Sequence, residues 1–142
     1  MSALTLDQAN AIAQRALAQG RHAGLKPLTV AILDGGGHLI VLLRDDGAST
    51  MRPDIAIGKA AGALALGISS RRIADMAAER PSFVASLGAI SPRGVIPAAG
   101  GVIIVDGDGT PTGAIGITGD SSDNDEMCAL SAIEAAGFKA QD

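Results

Sequence analysis

Five side chains in this sequence have the chemistry to bind or transform a ligand: His38, Arg44, Asp45, Lys59 and Arg93. His38 directly follows Gly35-Gly36-Gly37. A neutral imidazole at a turn can act as an axial metal ligand, or as a general acid and base near neutral pH. An ordinary surface histidine at a turn is the simpler reading. Asp45, beside Asp46, has the chemistry for proton transfer, although a pair of aspartates also ends a strand before a turn. Arg44, Lys59 and Arg93 are cations suited to carboxylates. As an enzyme the chain would use His38, Asp45 and Lys59.

Other signatures are absent or incomplete. Gly116-Ile-Thr-Gly119-Asp-Ser-Ser has the form of a phosphate-cradling loop but no cation, and Asp120, Asp123, Asp125 and Glu126 would repel an anion. Those carboxylates resemble a hard-metal cluster, yet Asp123 and Glu126 open a predicted helix, where acidic residues serve as caps and dipole partners. The sequence contains no Gly-x-Ser-x-Gly, no His-Glu-x-x-His and no Cys–His pair at a diagnostic spacing. The common hydrolase and zinc signatures are therefore excluded. His22, near the end of the first predicted helix, reads as a solvated terminus.

Two hairpins must position these residues. Pro27-Leu-Thr-Val-Ala-Ile-Leu-Asp and His38-Leu-Ile-Val-Leu-Leu-Arg flank the triple-glycine turn, and their continuous apolar character predicts a sheet covered on both faces. Val102–Val105 and Ala114–Thr118 flank Gly-Asp-Gly-Thr-Pro and form a second hairpin. Gly113, Gly116 and Gly119 recur there, which weakens a strand unless something packs closely on its backbone.

The helices are read from caps and spacing. Thr5 with Gln8 forms a capping box for the first. Ser49 or Thr50 caps a second that starts near Pro53 and carries a stripe of Gly58, Ala61, Gly62 and Ala65, with Lys59 beside it. Two helical glycines cost about 1 kcal/mol each relative to alanine, so that stripe predicts a very close neighbour, protein before ligand. Ser69 caps a third helix, Pro81 starts a short turn, and residues from Ser121 form a last helix that Gly137 stops. Ile90 to Ala99, with two prolines, reads as an irregular connection or a short edge strand. Strands grouped in hairpins predict an antiparallel sheet in an α+β domain rather than a doubly wound one.

Composition sets the remaining bounds. The 142 residues suit one domain, 1–142. Apolar residues make up 47 % and charged ones 18 %, which excludes a disordered chain, while no apolar run reaches a membrane span of about 20 residues. Met1-Ser-Ala-Leu-Thr lacks a leader pattern, as expected of a cytoplasmic protein or of one whose signal has been removed. Net charge is −4, with no Trp or Tyr and two Phe, so neither a basic footprint nor stacking platforms exist for nucleic acid. Cys128 reads as a small buried hydrophobe. A core so poor in aromatics is thin, and a homo-oligomer is expected to bury the rest.

With these residues in view, the chain resembles the GlcG/HbpS-like haem-binding family, which also includes the C-terminal domain of PduO-type corrinoid adenosyltransferases. The resemblance lies in Val30-Ala-Ile-Leu-Asp-Gly-Gly-Gly-His-Leu, Arg44-Asp-Asp-Gly-Ala, Ala56-Ile-Gly-Lys-Ala, Gly100-Gly-Val-Ile-Ile-Val-Asp-Gly and Gly113-Ala-Ile-Gly-Ile-Thr-Gly, in that order over nearly the whole chain. The usual Gly-Gly-Val-Pro is Gly100-Gly-Val-Ile here. The resemblance implies a profilin-like domain with an antiparallel sheet of about five strands between helices, assembled into an oligomer, possibly an octamer. It further implies a tetrapyrrole ligand, haem or alternatively a corrinoid. Placed on this sequence, the site would draw on His38 as axial donor, on Arg44, Lys59 and Arg93 for propionates, and on Gly100 and Gly101 beside the ring.

Overall fold

A computed structural model describes residues 3–141; Met1 and Ser2, where the leader reading begins, and the last residue of the single-domain span lie outside the described residues. Helix α1 (Leu6–His22) opens with the expected capping box: Gln8 N–H donates to Thr5 Oγ1 at 3.1 Å and Thr5 N–H to Gln8 Oε1 at 2.9 Å. Strands β1 (Thr29–Asp34) and β2 (Leu39–Arg44) form the first hairpin. Helices α2 (Arg52–Leu66), α3 (Ser70–Glu79) and α4 (Pro81–Leu87) follow. Strands β3 (Gly101–Val105) and β4 (Pro111–Thr118), helix α5 (Ser122–Ala135) and a two-residue β5 (Lys139–Ala140) complete the chain.

The five strands make one antiparallel sheet in the order β2-β1-β4-β3-β5. Alternation along β1 divides the core. Val30 and Ile32 turn toward α1 and α5, whereas Leu33 packs against Ala60 and Ala61 of α2. Both faces of the sheet are thus covered, as the unbroken apolar strands predict. Isoleucine does the work that aromatics do elsewhere: Ile12, Ile32, Ile104, Ile115, Ile117 and Ile133 are all fully buried. Each contributes about 1.5–3 kcal/mol.

The glycines set how tightly α2 sits. A Cβ on Gly116 would run into the Ala56 carbonyl, and one on Gly101 into the Lys59 carbonyl, so the helix backbone rests directly on β4 and β3. On its other side the Gly58–Gly62 stripe is covered by the chain itself. Cβ atoms there would lie 2.7 Å from Ile96 Cγ1 and 3.1 Å from Val95 Cα. The close neighbour is protein.

Several expectations are corrected. Neither Ser49 nor Thr50 caps α2: its N-cap is Met51, with no side-chain hydrogen bond, and Pro53 in the first turn removes one of the N–H groups that would need a cap. Ser121, not Asp123 or Glu126, caps α5, and those two acids instead clasp Arg71 of α3. Residues 90–98 are irregular, and the fifth strand is β5, too short to leave a pattern in the sequence.

Candidate functional site

The sheet has two ends, and the sequence candidates divide between them. At one end lies the β1–β2 turn. Asp34 Oδ1 accepts the N–H of Gly36 at 3.0 Å and of His38 at 2.9 Å, and Gly37 N–H donates to the Asp34 carbonyl at 3.0 Å. Gly37 has φ +84°, a conformation that favours glycine. His38 Nδ1 lies 3.2 Å from Asp34 Oδ1, its side chain is 80 % exposed, and its Nε2 has no hydrogen-bond partner among the described residues. The two N–H donors and the imidazole hold the Asp34 carboxyl below its ordinary range.

Beside this turn is a cleft of about 220 Å³, floored by Ala61, Leu64 and Ala65 of α2 and walled by Gly35–Gly37 and by Ser91, Pro92 and Arg93. Small side chains make the walls, and Arg93 is exposed at the margin. A larger groove of about 600 Å³, between α5 and β5, contains none of the sequence candidates.

The opposite end is a charged network. Lys59 is 3 % exposed; its Nζ donates to the Ile117 carbonyl at 2.9 Å and to Asp125 Oδ2 at 3.3 Å. Burial pushes the lysine down and the aspartate up, and the mutual attraction of the pair opposes both shifts. Asp125 Oδ1 also accepts the Asp120 N–H at 3.0 Å. Arg52 donates to Thr118 Oγ1 at 2.7 Å, Arg44 to the Ala48 carbonyl at 2.8 Å, and Asp45 is held by Arg21 at 2.6 and 3.1 Å. Thr29 Oγ1, buried in the same region, has no hydrogen-bond partner among the described residues.

Gly100 and Gly101 belong to this end. A Cβ on Gly100 would stand 2.9 Å from Lys59 Nζ, and Gly101 N–H donates to the buried Ser70 Oγ at 2.7 Å. The bareness of Gly100 leaves room for the Lys59 side chain and the Ile117 carbonyl, and that of Gly101 for the Lys59 carbonyl. His38 and Arg93 therefore share an end, while Arg44 stands about 20 Å from His38 at roughly 3.3 Å per strand residue. Within one protomer His38, Asp45 and Lys59 do not meet.

Sequence reasoning did not pair Asp34 with His38, and it read Asp125 only as one of an acidic cluster, not as the partner of Lys59. Asp34 was signalled by the Asp-x-x-x-His spacing of an Asx turn. Asp125 was signalled by its place on the helical face of Cys128, Ala129, Ala132 and Ile133, which marks a carboxylate headed for the interior. Cys128 is fully buried, and burial raises its thiol pKa, in keeping with a packing role.

The family model for haem-degrading HbpS-like proteins matches residues 4–134. The chain belongs to the HbpS-like family. Among solved structures, HbpS is 32 % identical, with 95 % of this chain and 90 % of that one covered at TM-score 0.80. A double mutant of the Streptomyces reticuli HbpS is 31 % identical, covering 95 % and 88 % at TM-score 0.81. The PduOC–haem complex, 23 % identical and covering 99 % and 100 % at TM-score 0.87, shares the fold. No curated protein sequence matches this HbpS-like chain.

Proposed function

We propose that this HbpS-like protein binds haem at the cleft beside the triple-glycine turn. His38 Nε2 is the iron donor, and Arg93 meets a propionate. The observation that carries the reading is an exposed imidazole with one ring nitrogen engaged and the other unpartnered among the described residues, on the turn whose Gly35–Gly37 segment walls a cleft of small residues with a guanidinium at its rim; His38 itself does not line that cleft. The family description and the haem complex of a protein with the same fold support it.

The fit is to an open-sided site. Ligand pockets that enclose a drug-sized molecule are about 300–1,000 Å³, so this cleft takes an edge of a macrocycle and leaves a face to be covered by a second copy of the chain in a homo-oligomer. Arg44, at the far end of β2, would reach the same ligand only from such a second copy, and Lys59 and Gly100–Gly101 serve the fold. When bound, haem supplies redox and oxygen chemistry; the chain supplies a nitrogen donor, a counter-charge and a slot. No helix among the described residues is long and apolar enough to cross a membrane. Separately, the role we propose for the bound group is haem handling in the cytoplasm.

Haemin titration followed at the Soret band tests this. The wild type is expected to give a saturable band, His38→Ala to lose or shift it, and Arg93→Ala to weaken binding. Unchanged titration of His38→Ala sinks the ligation. Preference for a corrinoid in a parallel cobalamin titration replaces the ligand.

A further inference from the structure

The β1–β2 turn contains more than a turn needs. The Gly36 and His38 N–H bonds to Asp34 Oδ1 account for an aspartate at position 34, because they are the Asx-turn contacts that close the loop. The third contact, from His38 Nδ1 at 3.2 Å, adds nothing to the backbone. Gly36 is likewise unexplained by conformation: Gly37 has a positive φ, but Gly36 does not. What Gly36 lacks is a side chain under the histidine. A Cβ there would stand 2.9 Å from His38 Cε1 and 3.0 Å from Nδ1. The imidazole is folded back over bare backbone, in a space that alanine would take from it, with Nδ1 toward the carboxylate.

We infer that Asp34 and Gly36 are positioning residues that hold the His38 imidazole with its hydrogen on Nδ1, donated to Asp34, so that Nε2 presents its lone pair away from the turn. A free imidazole in water favours the opposite tautomer, with the hydrogen on Nε2, which cannot donate to a metal from that atom. An anionic acceptor on Nδ1–H both selects the tautomer and makes the ring a stronger donor. For its purpose the inference rests on the haem reading above; the tautomer itself does not depend on that reading.

Two variants approach the device from different sides. Asp34→Asn keeps a carbonyl oxygen for the Gly36 and His38 N–H groups and removes only the charge. Gly36→Ala keeps the carboxylate and displaces the ring. Long-range proton–nitrogen correlation on the ligand-free protein, at a pH where imidazole is neutral, reads the tautomer directly. Wild type is expected to show a protonated Nδ1 and a bare Nε2, and both variants to move population toward Nε2–H. Haemin affinity is expected to fall about 10- to 100-fold in each. Should Asp34→Asn fail to fold, Gly36→Ala still decides, since its added methyl meets only side-chain atoms, the His38 ring closely and Asp34 Oδ1 at an ordinary contact distance of 3.4 Å. A wild-type ring protonated on Nε2, or variants that leave the tautomer unmoved, overturn the inference. So does haemin binding that requires His38 yet is indifferent to both variants. If the tautomer moves while His38→Ala binds haemin like wild type, the positioning stands and the haem reading fails.

Discussion

The two ends of the sheet are built on opposite principles. At the far end, Lys59, Asp125 and the carbonyl of Ile117 are buried and tied across α2, α5 and β4, Ser70 of α3 holds the Gly101 N–H, and Gly100 and Gly101 are bare where the Ile117 and Lys59 carbonyls press on them. At the turn end, Asp34, Gly36 and His38 form an equally specific arrangement on the surface, with one nitrogen left over. Chemistry-capable residues occur at both. What separates them is whether the ionisable groups are used up, and a histidine with spare valence on the turn that walls a cleft is a better ligand candidate than a lysine with none.

The largest expected effect tests the first half of that contrast. Lys59→Met leaves the Asp125 carboxylate buried without a cation, and removing one partner of a buried pair costs about 3–5 kcal/mol. Chemical denaturation should show a loss of that size, and the double variant Lys59→Met with Asp125→Leu should recover much of it. A single variant as stable as wild type would show that the pair is not the brace.

The sequence made the fold legible because its signals were local: the capping box at Thr5, two hairpins, and strands without polar alternation that require helices on both sides. It also made the glycine stripe legible as a demand for a close neighbour. Which neighbour was not readable, since Ile96 and Val95 reach Gly58 and Gly62 only through the course of an irregular segment. Lys59 was misleading for the same reason. Its position on α2 follows from periodicity, but its partner lies 66 residues away on a helix across the sheet. The turn site was more accessible, because Asp34, Gly36 and His38 are neighbours in sequence.

Next in size is Gly116→Ala. The added methyl meets the Ala56 carbonyl, part of a helix backbone that cannot step aside without disturbing its contact with β4. Overpacking of this kind costs about 1–3 kcal/mol, and the melting temperature should fall accordingly. Gly36→Ala should leave the melting temperature nearly unchanged, because there a side chain yields instead of a backbone.

The acid limb of stability is smaller and draws on both ends, on Asp34 at the turn and on Asp45 and Asp120 at the charged end. Asp120 is held down to about 2, first by the Asn124 side-chain amide and then by the N–H groups of Lys26 and Ser121. A folded-state pKa below the unfolded value of about 3.9 gives stability that is present above that value and is lost as pH falls through about 2. Asp125 acts with the opposite sign: its ionised form is disfavoured in the fold, so protonation relieves that cost while dissolving the pair with Lys59. Asn124→Ala removes the main cause of the Asp120 shift and should move acid unfolding to higher pH. An unchanged acid limb would show that Asp120 contributes none of it.

The smallest expected change in stability carries the most weight for function. His38 is exposed, its one polar contact is with a carboxylate already satisfied by two backbone N–H groups, and nothing packs on it that its loss would leave as a cavity. Surface substitutions of this kind usually stay within about 0.5 kcal/mol. His38→Ala should therefore unfold at the same denaturant concentration as wild type while losing its haemin spectrum, the reverse of Lys59→Met examined at a temperature where that variant remains folded. A variant at His38 that loses stability as Lys59→Met does would erase the distinction between the two ends, because the turn histidine would then belong to the fold and its free nitrogen would carry no argument for a ligand.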